Sequence, residues 1–191
     1  MDDFLRLENR HTGEILRMRR VHDSQGRIVL ILEGTLPPRS DGPPLHVHTQ
    51  EHEEGVVKAG TLGALVGTEK IIVPGGGTVT LPAGIAHRWW NAGDDLLEFN
   101  GQVVPVVDLD RYLQAVFAVL NASSNGRPSI FHFAHVLWRH RDTTVDGGSR
   151  PRDSADRFAG GSVYRANLGQ IPRIELAWFT RVVPWCAACG R

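Results

Sequence analysis

The residues best suited to chemistry crowd one short stretch of this chain. His46, His48 and His52 fall within seven residues, with Glu51, Glu53 and Glu54 among them, and His87 follows forty-one residues after His46. Imidazole nitrogens and carboxylate oxygens together make the ligand set of a divalent transition ion. Side chains two apart on a strand share a face, so His46 and His48 project together. A carboxylate on a neighbouring strand and a further histidine across the sheet would complete a mixed N/O site, suited to Fe, Mn, Ni, Cu, Co or Zn. A His-x-His pair alone is weak evidence, because surface histidine pairs are common. Two other groups carry less. His132, His135 and His140 fall on an expected helix and read as exposed or satisfied residues. Cys186 and Cys189 form a lone C-x-x-C beside Gly190, with no second pair and no βαβ context.

Many short strands must position the first group. Glu14 to Arg19 alternates roughly between polar and apolar residues, a turn at Asp23 to Gly26 follows, and Arg27 to Glu33 is a β-branched run. Further strand candidates cover 45–48, 54–58, 61–66, 69–73, 77–81, 86–91 and 96–104, most of them separated by Gly, Pro or Asn-Ala-Gly-Asp turns. About nine strands at close spacing with no helix between them predict a sandwich or barrel. From Asp108 the pattern changes to helical spacing. Asp108 is placed to cap a helix reaching about Asn121, with Leu109, Leu113, Val116, Phe117 and Leu120 on one stripe. Ser129 is placed to cap a second helix with Ile130, Phe133, Val136 and Leu137 on its apolar side. The expected organisation is therefore a barrel over 12–106, a helical extension over 107–141, and a linker with an apolar end over 142–191.

The residues around the histidines resemble the two motifs of the cupin family. His46-x-His48, four residues, Glu53, six residues and Gly60 match the first motif, with Ser40 where the family has its opening glycine. Gly76, Pro82, Gly84, His87 and Asn91 match the second at every fixed position. The resemblance spans residues 40–91. It implies an all-β jelly-roll barrel carrying a C-terminal α-helical extension, with one metal ion held by His46, His48, Glu53 and His87. His52 competes with Glu53, since the shorter form of the motif spacing lands on it. By alternation Trp89 shares a face with His87, and with Phe99 it is a candidate wall of the substrate cavity, while Trp90 faces the other way.

Composition bounds the functional classes. The chain has 191 residues, 41% of them hydrophobic, with Lys plus Arg and Asp plus Glu both at 21. That zero balance hides a division: residues 1–110 carry ten basic and sixteen acidic side chains, and residues 111–191 eleven and five. No strongly cationic face points to nucleic acid, and the helices after residue 108 lack the short glycine turn and basic second helix of a DNA reader. No apolar run is long enough to span a bilayer. Met1 to Phe4 does not open a signal peptide, so a cytoplasmic location is expected. The apolar end around Trp178, Phe179 and Trp185, together with an open barrel edge, predicts a homodimer. Two readings of function remain open. One is a mononuclear metal enzyme acting on a small organic substrate, with a dioxygenase-like reaction first and isomerase or lyase chemistry behind it. The other is a non-catalytic cupin that binds or senses a small molecule. Fold alone does not choose between them.

Overall fold

A computed structural model of the chain describes residues 4–147. Most of the 142–162 linker, the apolar stretch from Ile174 to Gly190 and the Cys186/Cys189 pair lie outside the described residues. The chain starts with β1 (Leu5–Glu8), β2 (Ile15–His22) and β3 (Ile28–Leu36). It continues through β4 (His46–His48), β5 (His52–Ala59), β6 (Thr61–Val66), β7 (Glu69–Pro74), β8 (Thr78–Leu81), β9 (His87–Asn91) and β10 (Leu97–Val104). Helices α1 (Leu109–Ala122) and α2 (Ile130–Arg139) follow, and β11 (Thr144–Asp146) comes last. Every strand pairing among the described residues is antiparallel. One sheet has the order β1-β2-β3-β10-β5-β8 and the other β11-β4-β9-β6-β7. This is the expected jelly-roll barrel with two helices on its C-terminal side.

Two elements differ from the expectation. β1 precedes the expected barrel range, and its four residues pair with the first half of β2, from Ile15 to Met18. Leu-Arg-Leu-Glu is too short for its alternation to stand out. β11 lies where a linker was expected. It pairs Thr144, Val145 and Asp146 with His48, Val47 and His46. Its three residues carry no periodic signal, and pairing with a strand about a hundred residues earlier is what orders them.

A single face of β3 serves two cores. Leu30, Leu32, Gly34 and Leu36 alternate onto it. Leu36 packs with Val57, Leu62 and Leu97 between the two sheets, and Phe99 and Trp89 pack against that cluster. Leu30 and Leu32 pack with Met18 and Val103 beneath Tyr112 and Val136 of the helices. β10 divides in the same way, with Leu97 and Phe99 in the first cluster and Val103 in the second. The helix pair thus covers the part of the six-stranded sheet that the second sheet leaves open. Each fully buried leucine contributes about 2 kcal/mol of transfer free energy, so these two clusters hold the barrel independently of the polar site.

The helix caps behave differently from the sequence expectation. Neither Asp108 nor Ser129 makes a side-chain capping bond. The Asp108 carboxylate instead accepts a 2.6 Å bond from Nδ1 of His140 at the end of α2, tying the two helices together. Of the stripe expected on α2, only Val136 is buried, and Ile130 is 56% exposed.

The motif glycines and Asn91 have plain structural reasons. Gly60 joins β5 to β6 at φ +77°, and a Cβ there would meet the Leu96 carbonyl oxygen at 2.6 Å. Gly84 sits at φ +75° with open space around it, so backbone conformation alone requires it. Asn91 is buried. Its Nδ2 donates to the carbonyls of Leu36, Pro37 and Asp95 at 2.8 to 3.0 Å, and its Oδ1 accepts from the amide of Gly93. One side chain thereby fastens the β9–β10 turn to the end of β3.

Candidate metal centre

β4 and β9 bring three histidines together. His46 pairs directly with His87 across the two strands, and His48 lies two residues further along the same face of β4. The turn Pro82 to Ile85 is fastened to β4 by the Gly84 amide, which donates to the His48 carbonyl at 2.8 Å. That turn delivers His87. The three ring centroids lie 4.5 to 5.2 Å apart. One nitrogen from each of the three lies within 4.8 Å of the others, and all three side chains are buried.

The ring tautomers follow from the hydrogen bonds. His46 Nδ1 faces the Pro44 carbonyl and His87 Nδ1 faces the Ile85 carbonyl, each at 2.8 Å. A carbonyl only accepts, so both Nδ1 atoms carry the proton and both Nε2 atoms keep a lone pair. His48 Nε2 stands 3.2 Å from His46 Nε2 and 3.1 Å from Glu53 Oε1. His48 Nδ1 meets the Thr144 hydroxyl at 3.0 Å. His87 Nε2 is buried with no hydrogen-bond partner. A buried lone pair left unsatisfied is costly. Three imidazole nitrogens, one of them orphaned, are a donor set that a divalent transition ion fits.

The electrostatics are those of a proton held where an ion would sit. Burial, with the charges of His48 and His87 next, pushes His46 down to about 3. Burial also lowers His87, against the attraction of Glu53. For His48 burial acts downward, but the Glu53 charge and hydrogen bond outweigh it and the net shift is upward. Glu53 is held down at about 2: burial would raise it, and the His48 charge and hydrogen bond, with His87 and His46 behind them, prevail. Its side chain is still 17% exposed, so solvent screens part of this coupling.

The other expected residues separate clearly. His52 is 44% exposed and lies 3.6 Å from Glu54, on the opposite face of β5 from Glu53. Trp89 and Phe99 meet edge to face with centroids 5.0 Å apart, and both rest on the apolar cluster between the sheets. The Phe99 ring lies over Gly34, its register partner on β3. Trp90 turns outward, beneath Lys70 and Arg88. His132 and His135 are exposed on α2, and His140 is the buried partner of Asp108. Three residues went unread in the sequence: Glu51, Thr143 and Thr144, all fully buried. Thr143 donates its hydroxyl to Glu51 Oε1, while Glu51 Oε2 has no partner. Glu51 stands among the histidines, so its position was a signal. Nothing local marks two threonines about ninety residues away.

Comparison with known proteins adds to this geometry. Residues 32–105 match the family model of the cupin domain. Over 115 residues the chain is 36% identical to Oxidoreductase iacF of Pestalotiopsis fici, a match covering 54% of this chain and 55% of that protein. The chain thus spans about half the length of this curated relative. Among solved structures, the Schizosaccharomyces pombe Cnp3 cupin domain is similar over 52% of this chain and 70% of its own, with 11% identity and a TM-score of 0.41. A sugar phosphate isomerase of the cupin superfamily from Silicibacter pomeroyi is similar over 48% of this chain and 60% of its own, with 20% identity and a TM-score of 0.40. Neither structural likeness bears on chemistry.

Proposed function

We propose, from the premise that this chain belongs to the cupin superfamily through residues 32–105, that it is a mononuclear metal-dependent enzyme acting on a small organic substrate, with a dioxygenase-like reaction first. The observation that carries this reading is the meeting of His46, His48 and His87, with the His87 Nε2 lone pair buried and unpartnered. Together with Glu53 they are the proposed ligands. An ion held there supplies a Lewis-acid or redox centre with positions left open for a small oxygen-donor ligand. The protein's own part is orientation and exclusion of water. The Pro44 and Ile85 carbonyls hold two rings in the ligating tautomer. Glu53 supplies one negative charge beside the imidazoles. Trp89, two residues beyond His87 on the same strand face, and Phe99 are the proposed apolar wall against which substrate rests. The name of the Pestalotiopsis relative, an oxidoreductase, supports redox chemistry over isomerase or lyase chemistry.

The deciding experiment is elemental analysis of protein purified without a metal-affinity column, followed by oxygen-consumption screening with the metal found. About one equivalent of a redox-active ion and substrate-dependent oxygen uptake are expected. A metal-free protein that binds small molecules stoichiometrically would overturn the reading in favour of a binding cupin. The proposal extends to a homodimer in the cytoplasm. Strand β7, which ends its sheet among the described residues and leaves Ile72 55% exposed, supports the dimer. A monomer by light scattering at micromolar concentration would overturn that part.

A further inference from the structure

We infer that Thr144, on the strand that follows the helices, is the positioning residue for His48, so that the metal centre is completed from outside the matched cupin domain. The inference rests on the metal-binding reading above. A histidine offers Nε2 to an ion when its ring proton sits on Nδ1, and the partner at Nδ1 fixes both the tautomer and the ring plane. His46 and His87 find that partner two residues back in their own chain segment. His48 does not. Its Nδ1 partner is the hydroxyl of Thr144, ninety-six positions away and fully buried. In the ligating form His48 Nδ1–H donates to that oxygen and leaves Nε2 free.

The hydroxyl is held where the ring needs it. The His140 carbonyl accepts from both the Thr143 and Thr144 amides at 3.0 Å, so the end of α2 turns sharply into β11. His140 is itself tied to Asp108 at the start of α1. On the other side the strap is stitched along β4 and the loop after it. β11 pairs with all three residues of β4, the Thr49 amide donates to the Thr143 carbonyl at 2.9 Å, and the Thr143 hydroxyl donates to buried Glu51. Without β11 the short strand β4, which carries two proposed ligands, would be an open edge of its sheet. The helical extension therefore has a task at the site as well as in the core. It ends in a buried strap that orients one ligand.

The test compares wild type, Thr144→Val, Thr144→Ala and Thr144→Ser in the full chain. Co2+ affinity is measured by competition with a chromophoric chelator, and the melting temperature is read without metal. Thr144→Val and Thr144→Ala should weaken Co2+ binding about ten- to a hundred-fold. Thr144→Ser keeps the hydroxyl and should bind close to wild type. The alanine variant stands in should the valine variant fail to fold. Wild-type affinity in a folded Thr144→Val or Thr144→Ala protein overturns the inference alone, as does loss in Thr144→Ser equal to that in the other two. If wild-type protein itself takes up no Co2+, the metal-binding reading falls and the inference falls with it.

Discussion

Replacing His87 by alanine is expected to weaken metal binding by roughly a thousandfold, so that no stoichiometric ion survives desalting, while the barrel stays folded. His87 Nε2 is buried with no partner, and deleting the ring removes one proposed ligand outright. The fold should tolerate the change because the two apolar clusters contain none of the four proposed ligands. The cost is a cavity and an Ile85 carbonyl that loses its donor, together about 2–3 kcal/mol. His52→Ala is the matched control. That side chain is 44% exposed and turned away from the cluster, so the variant should keep full metal content. Elemental analysis beside far-UV circular dichroism reads both. Full metal in folded His87→Ala protein, or loss of metal in His52→Ala, would refute the assignment of ligands.

The second large effect is a proton competition with an unusual slope. Three imidazoles at their ordinary value of about 6.5 would each have to lose a proton in acid, and affinity would fall about a thousandfold per pH unit. Here two of the three are biased toward the neutral form. Burial and the neighbouring charges push His46 down to about 3, and burial lowers His87. His48 is the exception, raised by Glu53 against the opposing effect of burial. His48 is therefore the main ring from which an ion displaces a proton, and affinity should fall with a slope well under three, nearer to about tenfold per pH unit. Between about pH 7 and about pH 5 that is a loss of up to about a hundredfold. Chelator competition across this range measures it, and a slope near three would show that the cluster does not bias its own protonation.

Metal-free stability should respond in a related way. The unfolded chain protonates His46 near 6.5 but the folded one only near 3, so stability falls as pH drops through that window. The stabilisation from Glu53 is complete above its unfolded value of 4.5 and is lost as pH falls toward 2. His48 acts oppositely: its contribution is present below 6.5 and fades as pH rises through its raised value.

What the sequence determined by itself was local in character. Period-two runs ended by Gly, Pro and Asn placed β2 to β10 within a few residues, because strands and tight turns are governed by neighbours along the chain. The spacing of His46, His48, Glu53 and His87 was equally legible, through its resemblance to the two cupin motifs. Between Glu53 and His52 the six-residue run to Gly60 favoured Glu53, and the fold adds a separate geometric reason. They are adjacent residues, and the pairing of β5 with β10, which sets Glu53 opposite Val103, decides which of them turns inward. Asp108 looked like a helix cap, and the fold instead turned its carboxylate to His140, a hydrogen bond that no sequence window of helical length contains. The strap was out of reach for the same reason. Thr143 and Thr144 are ordinary residues in a polar stretch, and nothing near them in sequence announces that they will be buried. Their environment is built by strands about a hundred residues earlier, so only tertiary structure decides that Thr144 orients His48.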